Sequence, residues 1–218
     1  MKKIIAVDGP AGAGKSTVSK IVAAKLGYTY IDTGAMYRAV GFECNAQCVM
    51  RNAQLTEDFI NEITRDIDIK LDAEGKVFVN GEEVTKKIRT PEVSKLASDV
   101  SKFDFVRKKL TDLQRKMAAQ GKVIMDGRDI GTVVLPDADL KIFLTASIEE
   151  RARRRFDELS AKGQAVELSA IEKEIAARDK QDSERKIAPL KKADDAILLD
   201  TTNLSVEEVV NKILDLAR

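Results

Sequence analysis

The 218-residue sequence contains no histidine. That absence removes any Ser-His-Asp or Cys-His nucleophile, any H-E-x-x-H zinc site and any imidazole general base. Cysteine is scarce: only Cys44 and Cys48 are present, so there is no disulfide framework and no four-thiolate metal site. Their i, i+4 spacing reads as two reduced, half-buried thiols on one helix face, as in a reducing cytosol. Long apolar runs are missing too. Met1-Lys2-Lys3 is basic, but only Ile4-Ile5-Ala6-Val7 follows before Asp8, too short for a signal peptide. Nothing later approaches the 18 or so apolar residues of a membrane span. Charge of one sign is missing as well: 37 Lys+Arg stand against 36 Asp+Glu, which excludes a bulk electrostatic grip on nucleic acid or anionic lipid. The expectation is a cytoplasmic globular protein, monomeric, without a nucleic-acid or membrane partner.

What is present alternates between strand and helix. Lys3–Val7, Tyr28–Ile31, Lys122–Met125, Leu140–Leu144 and Ala196–Leu199 read as short buried strands. A helix is predicted over Lys15–Leu26 with Gly27 as its stop. Ser147-x-x-Glu150, Ser169-x-x-Glu172 and Ser205-x-x-Glu208 have the form of capping boxes. Thr90-Pro91 and Asp104 read as further N-caps, and Gly121 and Gly163 as stops. Between Ile67 and Val84 the period switches to two, with turns at Ala73-Glu74-Gly75 and Asn80-Gly81, so a small antiparallel sheet is expected there. The predicted architecture is α/β: a doubly wound, five-stranded parallel P-loop core, an inserted lobe carrying the antiparallel sheet, and a short lid. The core is expected over residues 1–35, 96–150 and 186–218, the lobe over 36–95, and the lid with an arginine-bearing helix over 151–185.

The strongest motif is Gly9-Pro10-Ala11-Gly12-Ala13-Gly14-Lys15-Ser16, a full match to G-x-x-x-x-G-K-[ST] between a predicted strand and a predicted helix. Chance gives about one match per hundred chains of this length. Glycines let backbone N–H groups converge on an anion, and the following helix adds its positive end. Lys15 is expected to reach the β/γ-phosphates of a nucleoside triphosphate, and the Ser16 hydroxyl to ligate Mg²⁺. A guanine-reading Asn-Lys-x-Asp element is absent, since Asn211-Lys212-Ile213-Leu214 lacks the Asp.

Arginine is the bidentate phosphate binder, and three sets stand where an acceptor phosphate would sit. Arg38 closes Asp32-Thr33-Gly34-Ala35-Met36-Tyr37-Arg38 after the second strand, and Asp126-Gly127-Arg128-Asp129 follows the third. Both reach the strand carboxyl ends, where α/β ligands bind. Arg178, Asp182 and Arg185 share one helix face, either as part of the site or as a surface ion-pair ladder. Arg151, Arg153, Arg154 and Arg155 lie on the helix after Ser147, and two or three of them could close over a triphosphate as a lid. A phosphate acceptor already carries an anionic oxygen, so the missing histidine costs nothing: positioning and charge neutralisation suffice. For a hydroxyl acceptor, Asp32 or Asp129 could serve as base.

These residues resemble the bacterial cytidylate kinase family, within the nucleoside monophosphate kinases. The resemblance runs over nearly the whole chain. It is carried by Gly9–Thr17, Asp32–Arg38, Ile88-Arg89-Thr90-Pro91-Glu92-Val93, Met125–Ala138, and Arg178-Asp179 through Ala188-Pro189-Leu190. Phe42–Gln54 matches poorly. The resemblance implies transfer of the ATP γ-phosphoryl group to CMP or dCMP. It places Ser98, Arg107 and Asp129 on cytosine, where an N4 amino donor and an N3 acceptor suit a carboxylate and a guanidinium. It places Arg178 and Asp182 on the sugar, and Arg38, Arg128 and Arg185 on the monophosphate, with Thr33 where many relatives carry Ser. Arg151, Arg154 and Arg155 match the lid, Thr17 closes the P-loop, and Asp126 joins Ser16 in holding Mg²⁺. From the residues alone, a P-loop kinase of UMP, AMP or a hydroxylated metabolite stays open, as does a nucleotide-binding module without an acceptor.

Overall fold

Short apolar runs separated by amphipathic helices build the α/β order that the sequence predicts. The computed structural model describes residues 3–72, 74–161 and 163–218. Met1, Lys2, Ala73 and Lys162 lie outside the described residues, and with Ala73 goes part of the expected Ala73-Glu74-Gly75 turn. In chain order the elements are β1 (Ile4–Asp8), α1 (Lys15–Leu26), β2 (Thr29–Asp32), α2 (Thr33–Arg51), α3 (Glu57–Asp66), β3 (Ile69–Leu71), β4 (Val77–Val79) and β5 (Glu82–Glu83). There follow α4 (Pro91–Val100), α5 (Asp104–Ala118), β6 (Val123–Gly127), β7 (Leu140–Thr145), α6 (Ile148–Ala161), α7 (Leu168–Ser183), β8 (Ile197–Asp200) and α8 (Val206–Leu216). A 3₁₀ turn at Lys87–Arg89 precedes α4, and a single π-helical turn, Ile130–Val134, lies between β6 and β7.

The chain forms two compact units, Met1–Thr29 with Gly121–Arg218, and Tyr30–Gln120. The five-stranded parallel sheet has the order β2-β6-β1-β7-β8. In the first unit β1 runs parallel to both β6 and β7, with Ala6 opposite Met125 and Lys141. The sheet interior is Ile5, Val7, Ile124, Ile142 and Leu144, all essentially solvent-free. Helix α1 packs on β6 and α8, bringing Val18 and Val22 into the same core as Val209 and Ile213. Helices α6 and α7 pack together through Ala152, Leu159, Ile171 and Ile175.

The second unit is built on α2 and α4. They approach closely because position 41 is glycine: a Cβ there would meet the Ala97 amide nitrogen at 3.0 Å. The antiparallel sheet has the order β3-β4-β5, with Ile69 opposite Val79 and Val79 opposite Glu82. Asn80 (φ 49°) and Gly81 (φ 87°) make the tight turn that the Asn-Gly signal calls for.

The helix starts show where side-chain patterns and backbone part company. Thr90 caps α4 through its hydroxyl with Pro91 as the first helical residue, and Ser205 with Glu208 forms a complete capping box on α8. The Ser147 hydroxyl accepts from the Glu150 amide, while the Glu150 carboxylate pairs with Arg153 and Arg154. Two expected caps are corrected. Glu167 is the extended residue before α7, so Ser169 lies inside the first turn. Phe103 plays that part before α5, so Asp104 is the first helical residue, where its charge complements the helix dipole.

Ile124, with no exposed surface at the centre of the parallel sheet, sets a stability test. Truncation to alanine is expected to cost about 2–5 kcal/mol. Urea unfolding should show the midpoint falling with the slope unchanged.

Candidate active site

In the first unit the loop from Gly9 to Gly14 joins β1 to α1. Gly9 adopts φ 150°, and a Cβ there would overlap the Leu144 carbonyl oxygen at 1.9 Å, so only glycine fits. Gly14, at φ 85°, occupies the cap position of α1 and supplies no side-chain cap to the first helical amides. Lys15 is buried and folds back, its Nζ donating to the carbonyls of Gly9 at 2.8 Å and Pro10 at 2.7 Å. Burial, reinforced by the neighbouring Arg128 charge, holds its ammonium well below the usual lysine range, against the pull of Asp126 and Asp8. The Ser16 hydroxyl donates to Asp126 Oδ2 at 2.6 Å.

This pair of hard oxygen donors fits Mg²⁺. No cluster of three or more His, Cys, Asp or Glu that could hold a metal occurs among the described residues. A cation that keeps its waters and leans on substrate phosphates needs only one or two protein ligands.

Around this loop stand arginines and the carboxylates that hold them. Helix α7 ends at Ser183, so Arg185 lies beyond the helix face expected to carry it; Asp182 nevertheless accepts from Arg128 Nε at 2.9 Å and pairs with Arg185 Nη1 at 3.5 Å. Burial works against the Asp182 charge, but Arg128, Arg185 and Arg178 outweigh it and keep the carboxyl below its usual range. Arg185 Nη2 also donates to the carbonyl of Ala188, a non-glycine residue at φ 48°, so backbone strain sits beside this ion pair. Arg178 lies close enough for its charge to act on both Lys15 and Asp182.

The helix arginines separate into three roles. Arg151 is buried: its Nη1 donates to the Ala11 carbonyl at 2.9 Å and meets Asp179 Oδ2 at 2.6 Å, and its Nε donates to Ala146. It therefore braces the P-loop backbone from outside. Arg154 donates to the Thr201 hydroxyl at 3.1 Å and the Thr201 carbonyl at 2.6 Å, and lines a cavity of about 260 Å³. Ala13, Gly14, Thr17, Leu204, Val206 and Val209 form other walls of that cavity. Arg155 pairs with Glu158 on its own helix and is not brought to the loop.

In the second unit the organising residue is Asp32. Its Oδ1 caps α2 at the Ala35 amide (2.8 Å), and its Oδ2 accepts from both Arg38 and Arg89 at 3.0 Å. Burial opposes this charge too, and the two guanidinium groups prevail, holding the carboxyl low. Thr33 is buried at the start of α2. Arg107, almost fully buried, donates to the Ser101 carbonyl at 3.3 Å and lies over the Tyr37 ring at 5.5 Å. The Ser101 hydroxyl in turn donates to the Ser98 carbonyl, tying the Ser98 and Arg107 segments together.

Three functional candidates escape sequence reading. Arg89 lies inside a quoted motif, yet nothing in its spacing shows that it shares Asp32 with Arg38. Thr201 follows an exposed edge strand. Asp8 ends an apolar strand and reads as a terminator. It is in fact buried, accepting from the Ile130 amide at 2.8 Å and the Gly131 amide at 2.7 Å.

The profile of the cytidylate kinase family matches residues 5–218. The chain belongs to the cytidylate kinase family. A cytidylate kinase of Caldicellulosiruptor bescii is 57% identical, the match covering 99% of this chain and 96% of that one. A cytidylate kinase of Bacillus licheniformis is 52% identical over the same shares. Family membership makes this protein a kinase. Among solved structures, shikimate kinases of Bacteroides thetaiotaomicron (TM-score 0.51, 13% identity, covering 100% and 99% of the two chains) and Acinetobacter baumannii (0.50, 17%, 100% and 93%) share the fold. No helix among the described residues is long and apolar enough to cross a membrane.

Opposite pH signatures are expected from these carboxylates. Burial pushes Asp8 from 3.8 up to about 6, against its two amide bonds. Its contribution to stability is therefore full below pH 4 and withdrawn as pH rises through 6, a change of roughly 3 kcal/mol. Asp32 and Asp182, held low, contribute above pH 4 and lose that contribution as pH falls further. Urea unfolding across pH 3–7 should show the decline between pH 4 and 6 in the wild type and a flat stretch there in Asp8→Asn.

Proposed function

We propose that this kinase transfers the γ-phosphoryl group of ATP to CMP or dCMP, giving the diphosphate and ADP. The observation that supports the reading is 57% identity to a cytidylate kinase, in a chain that carries a lysine-bearing loop with the Arg128–Asp182–Arg185 set in one unit and the Arg38–Asp32–Arg89 set in the other. In this reading residues 36–95 are the acceptor lobe and residues 151–185 the lid, and the cavity beside Gly14 receives the donor nucleoside.

Lys15 gives up the Gly9 and Pro10 carbonyls for the terminal phosphates. The α1 amides and Lys15 then neutralise charge developing on the transferred group. Ser16 and Asp126 hold Mg²⁺, which supplies further charge neutralisation when bound. Arg38 and Arg89, and likewise Arg128 and Arg185, hold the acceptor phosphate. Asp32 and Asp182 fix the planes of those guanidinium groups beforehand, so less ordering is lost on binding. The acceptor oxygen is ionised near neutral pH, and no general base is required.

Cytosine is read by Asp129, which accepts from N4, and by Arg107, which donates to N3, with Ser98 alongside. The stacking over Tyr37 and the bond to Ser101 keep Arg107 in one orientation. Uracil presents the opposite donors and acceptors, so UMP would leave buried polar groups unpaired. Arg178 and Asp182 reach the sugar.

A coupled ADP-release assay over CMP, dCMP, UMP, AMP and shikimate tests this. Turnover with CMP and dCMP is expected, and equal or greater turnover with another acceptor refutes the assignment. Lys15→Ala should lower kcat by about a hundredfold or more with the fold intact by circular dichroism. Arg89→Ala should raise the KM for CMP about tenfold while leaving the KM for ATP in place, as expected for losing one charge-assisted contact.

A further inference from the structure

We propose that Asp8 is a positioning residue for acceptor selectivity, holding the Ile130 and Gly131 amides so that the backbone of Asp129 is set at a fixed place. The proposal rests on the reading of Asp129 as the cytosine contact. Asp129 directly precedes the π-helical turn, at φ −142° and ψ 26°. The next two amides, of Ile130 and Gly131, are held by the carboxylate of Asp8, one oxygen each, from the end of a different strand. The Asp129 carbonyl, for its part, accepts from the Val133 and Val134 amides, so the residue is anchored by its own backbone and by the two amides that follow it.

The surroundings make this contact rigid. Asp8 is 5% exposed. Gly131 is pressed between Asp8 and Lys141: a Cβ there would stand 3.1 Å from Lys141 Cδ and 3.4 Å from Asp8 Oδ2. Lys141 is fixed by two contacts to Asp195, at 2.7 and 3.0 Å. Burying a carboxylate that burial itself pushes toward neutrality is costly, and a neutral residue would fill the space more cheaply. What only a carboxylate supplies is two acceptors side by side with no competing donor. Asp8 also precedes Gly9 directly, so a single strand end sets both the phosphate cradle and the bend carrying Arg128 and Asp129.

The test is a double-mutant cycle with Asp8→Asn and Asp129→Ala, measuring kcat/KM for CMP and for UMP at saturating ATP. Asp8→Asn places an amide NH₂ against a backbone donor. It is expected to lower kcat/KM for CMP at least tenfold and that for UMP less than threefold, as fits the loss of one buried acceptor. In the Asp129→Ala background it should narrow the CMP-to-UMP ratio no further. A ratio left at its wild-type value in Asp8→Asn, or an equal narrowing in both backgrounds, overturns the proposal. Should Asp8→Asn not fold, amide hydrogen exchange on the wild type decides: Ile130 and Gly131 should exchange about a hundredfold slower than open loop amides, and loop-like exchange overturns it. A wild type that does not prefer CMP over UMP sinks the substrate reading and this proposal together. A wild-type preference retained by Asp8→Asn sinks this proposal alone.

Discussion

Collecting positive charge in a place with little water is the constraint on which the structure turns. Lys15, Arg128, Arg178 and Arg185 lie within electrostatic reach of one another or of shared partners, and each cation pushes against the next. Such a cluster is stable only if every charge has an acceptor while no phosphate is bound. Asp182 provides for Arg128 and Arg185, and Lys15 borrows the carbonyls of its own loop; within the second unit Asp32 does the same for Arg38 and Arg89. These partners also orient the donors, so the contacts that make burial tolerable fix each guanidinium in one place.

Much of this was legible in the sequence. The five strands, the P-loop helix and the Asn80-Gly81 turn follow from periodicity and turn chemistry, which are local. Each strand nevertheless runs one or two residues past its apolar run, to Asp8, Asp32, Gly127, Thr145 and Asp200. An apolar pattern stops at the first charge, yet at the ligand-binding edge of a parallel sheet the strand ends are where carboxylates belong. For that reason Asp8 read as a terminator and proved to be a buried anchor. The capping patterns at Ser169 and Asp104 misplace helix starts because the backbone of the preceding residue, not the side-chain spacing, decides where the first turn begins.

Arginine roles were the least legible. Arg151, Arg154 and Arg155 are nearly consecutive on one helix, and spacing groups them. The fold sends one under the P-loop, one to a cavity wall and one to a surface pair with Glu158. Rotation by about 100° per residue places neighbours on different faces, and only packing reveals which face is inside. Shared partners are equally invisible in one dimension: Arg38 and Arg89 are 51 positions apart and meet on one oxygen.

The two thiols of α2 differ in a way that bears on handling the protein. Cys44 has no exposed surface, and burial together with the adjacent Cys48 pushes its thiol up to about 12. Almost none of it is thiolate under ordinary conditions, and thiolate is the form that reacts with maleimides and iodoacetamides. Cys48, one helical turn on and partly exposed, is left as the natural attachment point for a spectroscopic label, so the second unit can be tagged at one position without first removing a cysteine.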